Sequence, residues 1–542
     1  MKEEKSPRPV VALIDLGSNS VRLLVVRLNE NGSHTVLTRY KQMVRLGEGV
    51  FKTGRLSEKA LERTIESLRG IADICRGYDV VEMVAYATAA LRDASNARVF
   101  VDRTLRETGI RFSVISGLEE ARLIHLGVAS GLPDAGQKIG LFADIGGGST
   151  EVIVGQGLHF IHLDSLKMGA VRLAGLFPKS TGPRPVPPAL YEEIRAYVRD
   201  SSLRSFQKLQ GLHPVFMAGS SGTIVNLAAI AARLKKRQGK SAGSPRTLTL
   251  KALTETAKRL CAAPLEQRRK FPGINPERAD IIVAGAAILQ TLMEETGMTS
   301  LAVSNRGLLE GMLTDYLAKG AHGHPDEEGS VREQSVRQLV RACAQDEAHV
   351  QWVARLAADL FDSAGSVGLH SYGEEERGIL RCAALLHDIG LFLSFSNHHA
   401  HSRYMIENSE LLGLSRREVL LTAWAAFFHR KWQEPRGEGA ASFNALSQED
   451  KRLVRVLGAF LKIAEGLERS QQQTVSVARF ERRGKKIYLV LAVSKPSPTE
   501  LQAVESTHAA FAKLFGVDFT VAVDAGEENE HAEGKRSHPK TN

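Results

Sequence analysis

Two short runs, Asp15-Leu-Gly17-Ser18-Asn19-Ser20 and Asp144-Ile-Gly146-Gly147-Gly148-Ser149, share aspartate, then glycine two residues later and serine five residues later. A turn of small residues presents consecutive backbone N–H groups that can wrap the oxygens of a tetrahedral anion without side-chain obstruction. Gly17 to Ser20 and Gly146 to Thr150 are therefore candidate anion clamps, with the hydroxyls of Ser149 and Thr150 as further donors; a pair of tight β-turns is the structural alternative. A carboxylate at the end of a buried strand needs a cation or hydrogen-bond donors. Asp15 and Asp144 follow apolar runs, and Mg²⁺ suits one or two carboxylates beside such a clamp. Asp144 is the expected metal residue, with Glu151 as a second carboxylate or else a solvated charge at the strand edge.

Two other segments carry groups of the right type. In Ser116-Gly-Leu-Glu119-Glu120, Ser116 and Glu119 have the spacing of a capping box at a helix start. Glu120 leaves the same turn in another direction, free to orient and deprotonate a water, or simply a surface glutamate. Arg92, after an apolar strand, can grip an oxyanion by two parallel hydrogen bonds, or can pair locally with Asp93 or Glu82.

These residues need a scaffold, and the hydropathy pattern supplies one. Val10 to Ile14, Val21 to Leu28 and Val80 to Ala87 read as strands, and Ser57 to Cys75 and Ala97 to Thr108 as helices, which is an α/β alternation. Each small-residue turn lies between two strands, so the repeat implies a duplicated strand-turn-strand domain. A third turn, Gly219 to Thr223, follows the apolar segment Val215 to Ala218. Beyond a polar linker at Ala321 to Val331 the pattern becomes helical (Val350 to Phe361, Glu375 to Leu386, Arg417 to Phe428, Asp450 to Leu467). After Gln471 it reads strand, strand, helix, strand.

Several classes are excluded or disfavoured by composition. No apolar run approaches the ~20 residues of a membrane span, and the charged start lacks a signal-peptide core, so a cytoplasmic protein without a membrane partner is expected. Cys75, Cys261, Cys343 and Cys382 are scattered without CxxC spacing and read as buried thiols. A formal net charge of +10 favours a polyanionic partner.

At the residues quoted, the sequence resembles the exopolyphosphatase / guanosine pentaphosphatase (Ppx/GppA) family. The resemblance rests on Asp15 to Ser20, Ala87-Thr-Ala-Ala-Leu-Arg92, Ser116-Gly-Leu-Glu-Glu-Ala-Arg122, Asp144 to Glu151, Gly219 to Thr223, Arg278-Ala-Asp-Ile-Ile and Arg306-Gly-Leu-Leu-Glu-Gly311. It implies a duplicated, actin-like (ribonuclease H-like) α/β core of two lobes, expected at 1–134 and 135–320. It also implies Glu120 as catalytic base, Asp144 and Glu151 at a Mg²⁺ site, Gly17 to Ser20 and Gly146 to Thr150 on phosphates, and Arg92 on the anion. The implied substrate is inorganic polyphosphate or, alternatively, the guanine nucleotide pppGpp; a non-hydrolysing sensor of either is the reading from another class. Nucleic acid is not the expected partner, and a homodimer is the expected assembly. Lys235, Lys236, Arg237, Lys240, Arg268, Arg269 and Lys270 are candidates for a basic track.

The helical region, expected at 332–470, resembles an HD-type phosphohydrolase domain. His349, His387 and Asp388 match the start of its metal constellation, and His398, His399 and His401 offer further nitrogens. Where such domains often end in Ala-Asp-Gly-Leu-Asp, this chain has Ala464-Glu465-Gly466-Leu467-Glu468. A degenerate site with a structural or substrate-guiding role is the reading favoured here. A small α/β module at 471–525 and a disordered tail at 526–542 complete the expected organisation.

Overall fold

A computed structural model of the chain describes residues 9–29, 34–132, 138–237, 247–320, 330–433, 435, 438–494 and 498–524. Most of the expected linker and all of the expected tail lie outside these residues. Two compact units follow one another, the first ending at Gly323 and the second starting at His324.

The first unit holds two sheets. One has the order β3-β2-β1-β4-β5, from β1 (Val10–Leu16), β2 (Ser20–Leu28), β3 (His34–Met43), β4 (Glu82–Ala87) and β5 (Phe112–Val114). The other contains β6 (Ile139–Ile145), β7 (Thr150–Gln156), β8 (His159–Leu166), β9 (Phe216–Ser220), β10 (Thr247–Thr249) and β11 (Ser300–Val303). Its order, taken from the β8 edge, is β8-β7-β6-β9-β11-β10. In both sheets an antiparallel meander of three strands is followed by strands parallel to the first, so the second repeats the first with one added edge strand. This is the duplicated, two-lobed actin-like architecture. The all-apolar burial of β1, interrupted only by Asp15, follows from its central place in the sheet.

Register fixes what faces what. Asp15 pairs with Arg22 across the β1–β2 hairpin, and Asp144 pairs with Glu151 across the β6–β7 hairpin. The same position of the repeat therefore carries a cation in one lobe and a carboxylate in the other.

Two helices tie the lobes together. The Gly117–Ala129 helix, which follows β5, packs on β7 and β8 of the second sheet, whereas the Leu308–Gly320 helix, which follows β11, packs against β1 and β2 of the first. They cross at glycines. A Cβ on Gly127 would lie 2.0 Å from the Gly307 carbonyl oxygen, and one on Gly311 would lie 1.7 Å from that of Leu123. Ser116 caps the first of these helices by accepting from the Glu119 amide at 3.0 Å. Glu119 turns to Arg122, which donates to both its oxygens and to Asp315 of the crossing helix, so its carboxylate braces the crossing.

The second unit is helical around a core that includes Trp424, Phe428 and Phe460. A three-stranded sheet, β12 (Val475–Arg483), β13 (Lys486–Val493) and β14 (Phe519–Asp524), shares that core through Phe480 and Phe519. The Phe480 amide donates to Ser363 Oγ at 3.0 Å, and Trp352 Nε1 donates to the Val475 carbonyl at 3.1 Å. Residues 498–515, expected as one helix, form two, Pro498–Glu505 and His508–Phe515. The four cysteines are free and buried. Among the described residues no helix is long and apolar enough to cross a membrane.

Overpacking a tight helix crossing costs about 1–3 kcal/mol. Gly311→Ala is expected to lower the unfolding midpoint of the first unit in denaturant despite its better helix propensity; an unchanged midpoint would show that the crossing tolerates a side chain.

Candidate active site

The two expected clamps meet. A Cβ on Gly147 would lie 3.0 Å from Ser18 Cβ, and one on Gly148 would lie 2.4 Å from the Phe51 ring and 2.8 Å from Ala89 Cβ. The turns have the same internal bond: the Gly17 amide donates to the Ser20 carbonyl and the Gly146 amide to that of Ser149, both at 3.0 Å. Their carbonyls are taken by the surrounding chain, Ser18 by the Gly47 amide, Asn19 by Val44 and Arg45, and Gly147 by Val171 and Arg172. The amides of Ser18, Asn19, Gly147 and Gly148 take no acceptor among the described residues. Ser18 Oγ and Asn19 Nδ2 are likewise buried without a partner. Such a set of unpaired donors fits an oxyanion.

Asp15, Gly17 to Ser20, Glu120, Asp144 and Gly146 to Ser149 all line one cleft. Thr150 does not: fully buried as the first residue of β7, it donates its hydroxyl to the Met168 carbonyl at 2.6 Å and holds the hairpin instead. Asp144 accepts from Ser220 Oγ, and Glu151 Oε1 accepts from Ser165 Oγ at 2.9 Å, while Glu151 Oε2 is buried with no partner.

Arg92 is placed differently from expectation. Its Nη1 donates to Glu120 Oε2 at 2.8 Å and to the Ile115 carbonyl at 3.0 Å, so it orients the glutamate. Neither alternative partner is used, because Asp93 is held by Arg172 and Glu82 by the Tyr316 hydroxyl. Arg268, expected on a basic track, is fully buried and donates to the carbonyls of Ala263 and Ser180, each at 3.0 Å. Arg269 pairs with Glu266. The side chains of residues 235–237, and residue 240, lie outside the described set.

The electrostatics of the cleft are set by burial. Desolvation raises Asp15 to about 6 against the pull of Arg22, and raises Glu120 to about 7 against Arg92. It raises Asp144 as well, opposed by Ser220, and pushes Glu151 well up, with Glu120 and Asp144 adding repulsion. Four carboxylates thus sit together in a poorly solvated space. The cations beside them are Arg92 on Glu120, Arg22, 3.7 Å from Asp15, and Arg278, whose own ionisation burial depresses to about 10.

A model of the Ppx/GppA phosphatase family matches residues 24–320, more than half of the chain, and a model of domain III of that family matches residues 331–504. The chain belongs to the Ppx/GppA phosphatase family. Among solved structures it is similar to an exopolyphosphatase-like protein at 26% identity (TM-score 0.53), over 58% of this chain and 100% of that one. An exopolyphosphatase from Cytophaga hutchinsonii matches at 27% identity (TM-score 0.53), over 57% of this chain and 98% of its own. A Ppx/GppA family member from Aquifex aeolicus matches at 29% identity (TM-score 0.49), over 58% and 100%.

Within this Ppx/GppA cleft, sequence reasoning missed Arg22, Thr88, Ser221, Gly222 and Arg278, all of which line it. Arg22 had a signal, a charge next to the first turn in an otherwise apolar stretch that runs to Val26. Arg278 sat in a quoted motif, without a role. The third turn turns out to be a seat for Arg278: a Cβ on Gly222 would lie 2.4 Å from the guanidinium carbon. Ser221 takes φ 96° there, in the left-handed region that non-glycine residues avoid. Asn226 accepts from the Asn275 amide at 2.6 Å and donates to the Gly222 carbonyl at 2.7 Å, fastening Arg278's segment to the turn.

In the helical unit, His349, His387 and Asp388 do come together, joined by His398 and His429. The glutamates of the closing motif do not join them: Glu468 caps the Gln473 amide at 3.1 Å and Glu465 pairs with Arg469. His399 lies edge-on to His398 and tilted against Phe427, and is not among the converging donors.

A charge-assisted hydrogen bond is worth about 1.5–3 kcal/mol. Gly222→Ala, which displaces the guanidinium of Arg278, is therefore expected to weaken tripolyphosphate binding about tenfold or more in protein that remains folded. Unchanged affinity by calorimetry would remove Arg278 from the anion site.

Proposed function

We propose that this chain is an exopolyphosphatase, which releases orthophosphate from the end of an inorganic polyphosphate chain. The observation that carries the reading is the meeting of two amide-rich turns with Glu120 in one buried cleft. The terminal phosphoryl group binds against the free amides of Ser18, Asn19, Gly147 and Gly148, with Arg278 adding charge. Glu120, aligned by Arg92, accepts a proton from a water as its oxygen attacks the terminal phosphorus. The phosphorus–bridging-oxygen bond breaks, and the shortened chain leaves with the bonding electrons. A raised Glu120 suits the task, since a base works best with a pKa near the working pH.

The donor set fits a magnesium ion. Asp144 and Glu151 face each other across β6–β7 with no arginine at the position that Arg22 fills in the first hairpin, and Glu151 Oε2 is buried and unpaired. Asp144 and Glu151 would hold Mg²⁺, whose positive charge would offset charge on the phosphoryl oxygens.

A polymer is supported over a nucleotide by a groove of about 350 Å³ that adjoins the cleft at Arg22 and Gly222 and is lined by Lys41, Arg306 and Arg39, the last paired with Glu310 of the same groove at 2.6 Å. Its cations suit a polyanion longer than the terminal group. The exopolyphosphatase name carried by the similar Cytophaga hutchinsonii structure points the same way.

Incubation with long-chain polyphosphate or pppGpp, each with Mg²⁺, is expected to release orthophosphate faster from the polymer. Hydrolysis of pppGpp alone would replace the substrate while keeping the chemistry. Glu120→Gln is expected to lower kcat by about 10²–10⁴-fold with substrate binding retained; full turnover would remove Glu120 from its role.

Protons and Mg²⁺ compete for carboxylates whose ionisation burial has pushed upward. Affinity for Mg²⁺ should therefore rise as pH increases from the ordinary carboxylate range toward neutral, where Asp144 and Glu151, both pushed upward by burial, lose their protons, with proton release on binding that calorimetry in different buffers can count. Affinity independent of pH over that window would show that these carboxylates are not the ligands.

A further inference from the structure

Successive carbonyls of the second anion turn are held from one short helix, Ala170–Leu176. The Ala170 amide donates to the Gly146 carbonyl at 2.9 Å, and the Val171 and Arg172 amides donate to that of Gly147 at 2.9 and 3.0 Å. The next carbonyl, that of Gly148, has no main-chain donor among the described residues, and Arg172 Nε donates to it at 2.7 Å instead.

A planar trans peptide carries its carbonyl and the following N–H on opposite sides. Arg172 lies behind the turn, outside the cleft lining, so the Gly148 carbonyl that it holds points away from the cleft and the Ser149 amide points the other way. That amide takes no acceptor among the described residues, and Ser149 lines the cleft. It joins the amides of Gly147 and Gly148 as a donor to an anion, aimed by a side chain rather than by the main chain.

The rest of the Arg172 side chain is spent on the first lobe. Its Nη2 bonds Asp93, the last residue of the Ala89–Asp93 helix, and its guanidinium carbon lies 4.0 Å from the centre of the Phe51 ring. Both partners of the Arg172–Asp93 pair are largely buried. Asp93 follows Arg92, which holds Glu120. A continuous set of bonds thus runs from the Gly148 carbonyl through Arg172 and Asp93 to the segment that orients the glutamate. In the first turn, the Ser18 and Asn19 carbonyls are taken by main-chain amides of their own lobe. The second turn, unlike the first, takes part of its shape from the opposite lobe.

On the reading that this cleft takes a terminal phosphoryl group, we propose that Arg172 is a positioning residue for the reaction: it aims the Ser149 amide at that group while its guanidinium is bonded to Asp93 across the cleft. The planar guanidinium suits the task, because Nε and Nη2 make two bonds in a fixed relation, one to the carbonyl and one to the carboxylate. A lysine ammonium is a point charge on a flexible stem and cannot hold both in that geometry. The donor set is complete only while the two lobes are bonded to each other.

Arg172→Ala is expected to lower kcat/KM for long-chain polyphosphate with Mg²⁺ by about tenfold or more, the scale of one hydrogen bond to a charged group, in protein that circular dichroism shows to be folded. Arg172→Lys should stay nearly as impaired. Asp93→Asn is expected to cost less by itself and to add nothing in the Arg172→Ala background, since the two residues act through one contact. Wild-type kcat/KM in folded Arg172→Ala protein, full activity in Arg172→Lys, or losses that add in the double variant would each overturn the proposal. Calorimetric binding of orthophosphate with Mg²⁺ needs no turnover and separates the role of Arg172 from the choice of substrate. Orthophosphate bound about tenfold more weakly by Arg172→Ala than by a wild type that leaves polyphosphate intact would refute that substrate and uphold the role. Equal orthophosphate affinity in the two proteins would remove the role.

Discussion

Everything in the first unit depends on two turns being allowed to touch. Gly147 meets Ser18 and Gly148 meets Phe51 and Ala89 at separations that leave no room for a side chain. The approach brings two sets of unpaired amides to a single point, which neither hairpin offers alone. Glycine is required here for space rather than for backbone freedom, since neither Gly147 nor Gly148 has a positive φ.

That contact has an electrostatic counterpart. Duplication made two hairpins with an aspartate at the same place, and the residue opposite has diverged to Arg22 in one and Glu151 in the other. The first lobe can balance its own buried charge. The second sets two carboxylates face to face with no arginine in the corresponding place. Burial raises all four carboxylates, so the cleft disfavours holding all of them ionised at once.

The lobes are held in this relation by elements remote from the chemistry. Crossing helices meet backbone to backbone at Gly127 and Gly311, and Arg122 links Glu119 to Asp315 across them. On the other side of the cleft Arg172 bonds Asp93 and the Gly148 carbonyl, while Arg45 reaches Asp280. Glu120 occupies the first turn of one crossing helix, so the brace that joins the lobes also aims the glutamate.

By itself the sequence determined the duplicated α/β core, the two turns, the change to a helical second unit, and Glu120, Asp144 and Glu151 as candidate carboxylates. These follow from local pattern, because hydropathy period and turn chemistry act over a few residues. Only the tertiary structure decided the partners. Arg92 turned to Glu120, Thr150 to Met168, Arg268 inward, and Arg22 and Arg278 into the cleft; His398 and His429 closed around Asp388. Each of these contacts joins residues distant along the chain or chooses among several equally plausible neighbours. A buried polar group takes whichever partner the packing of separate elements brings within reach, and no local pattern records that choice.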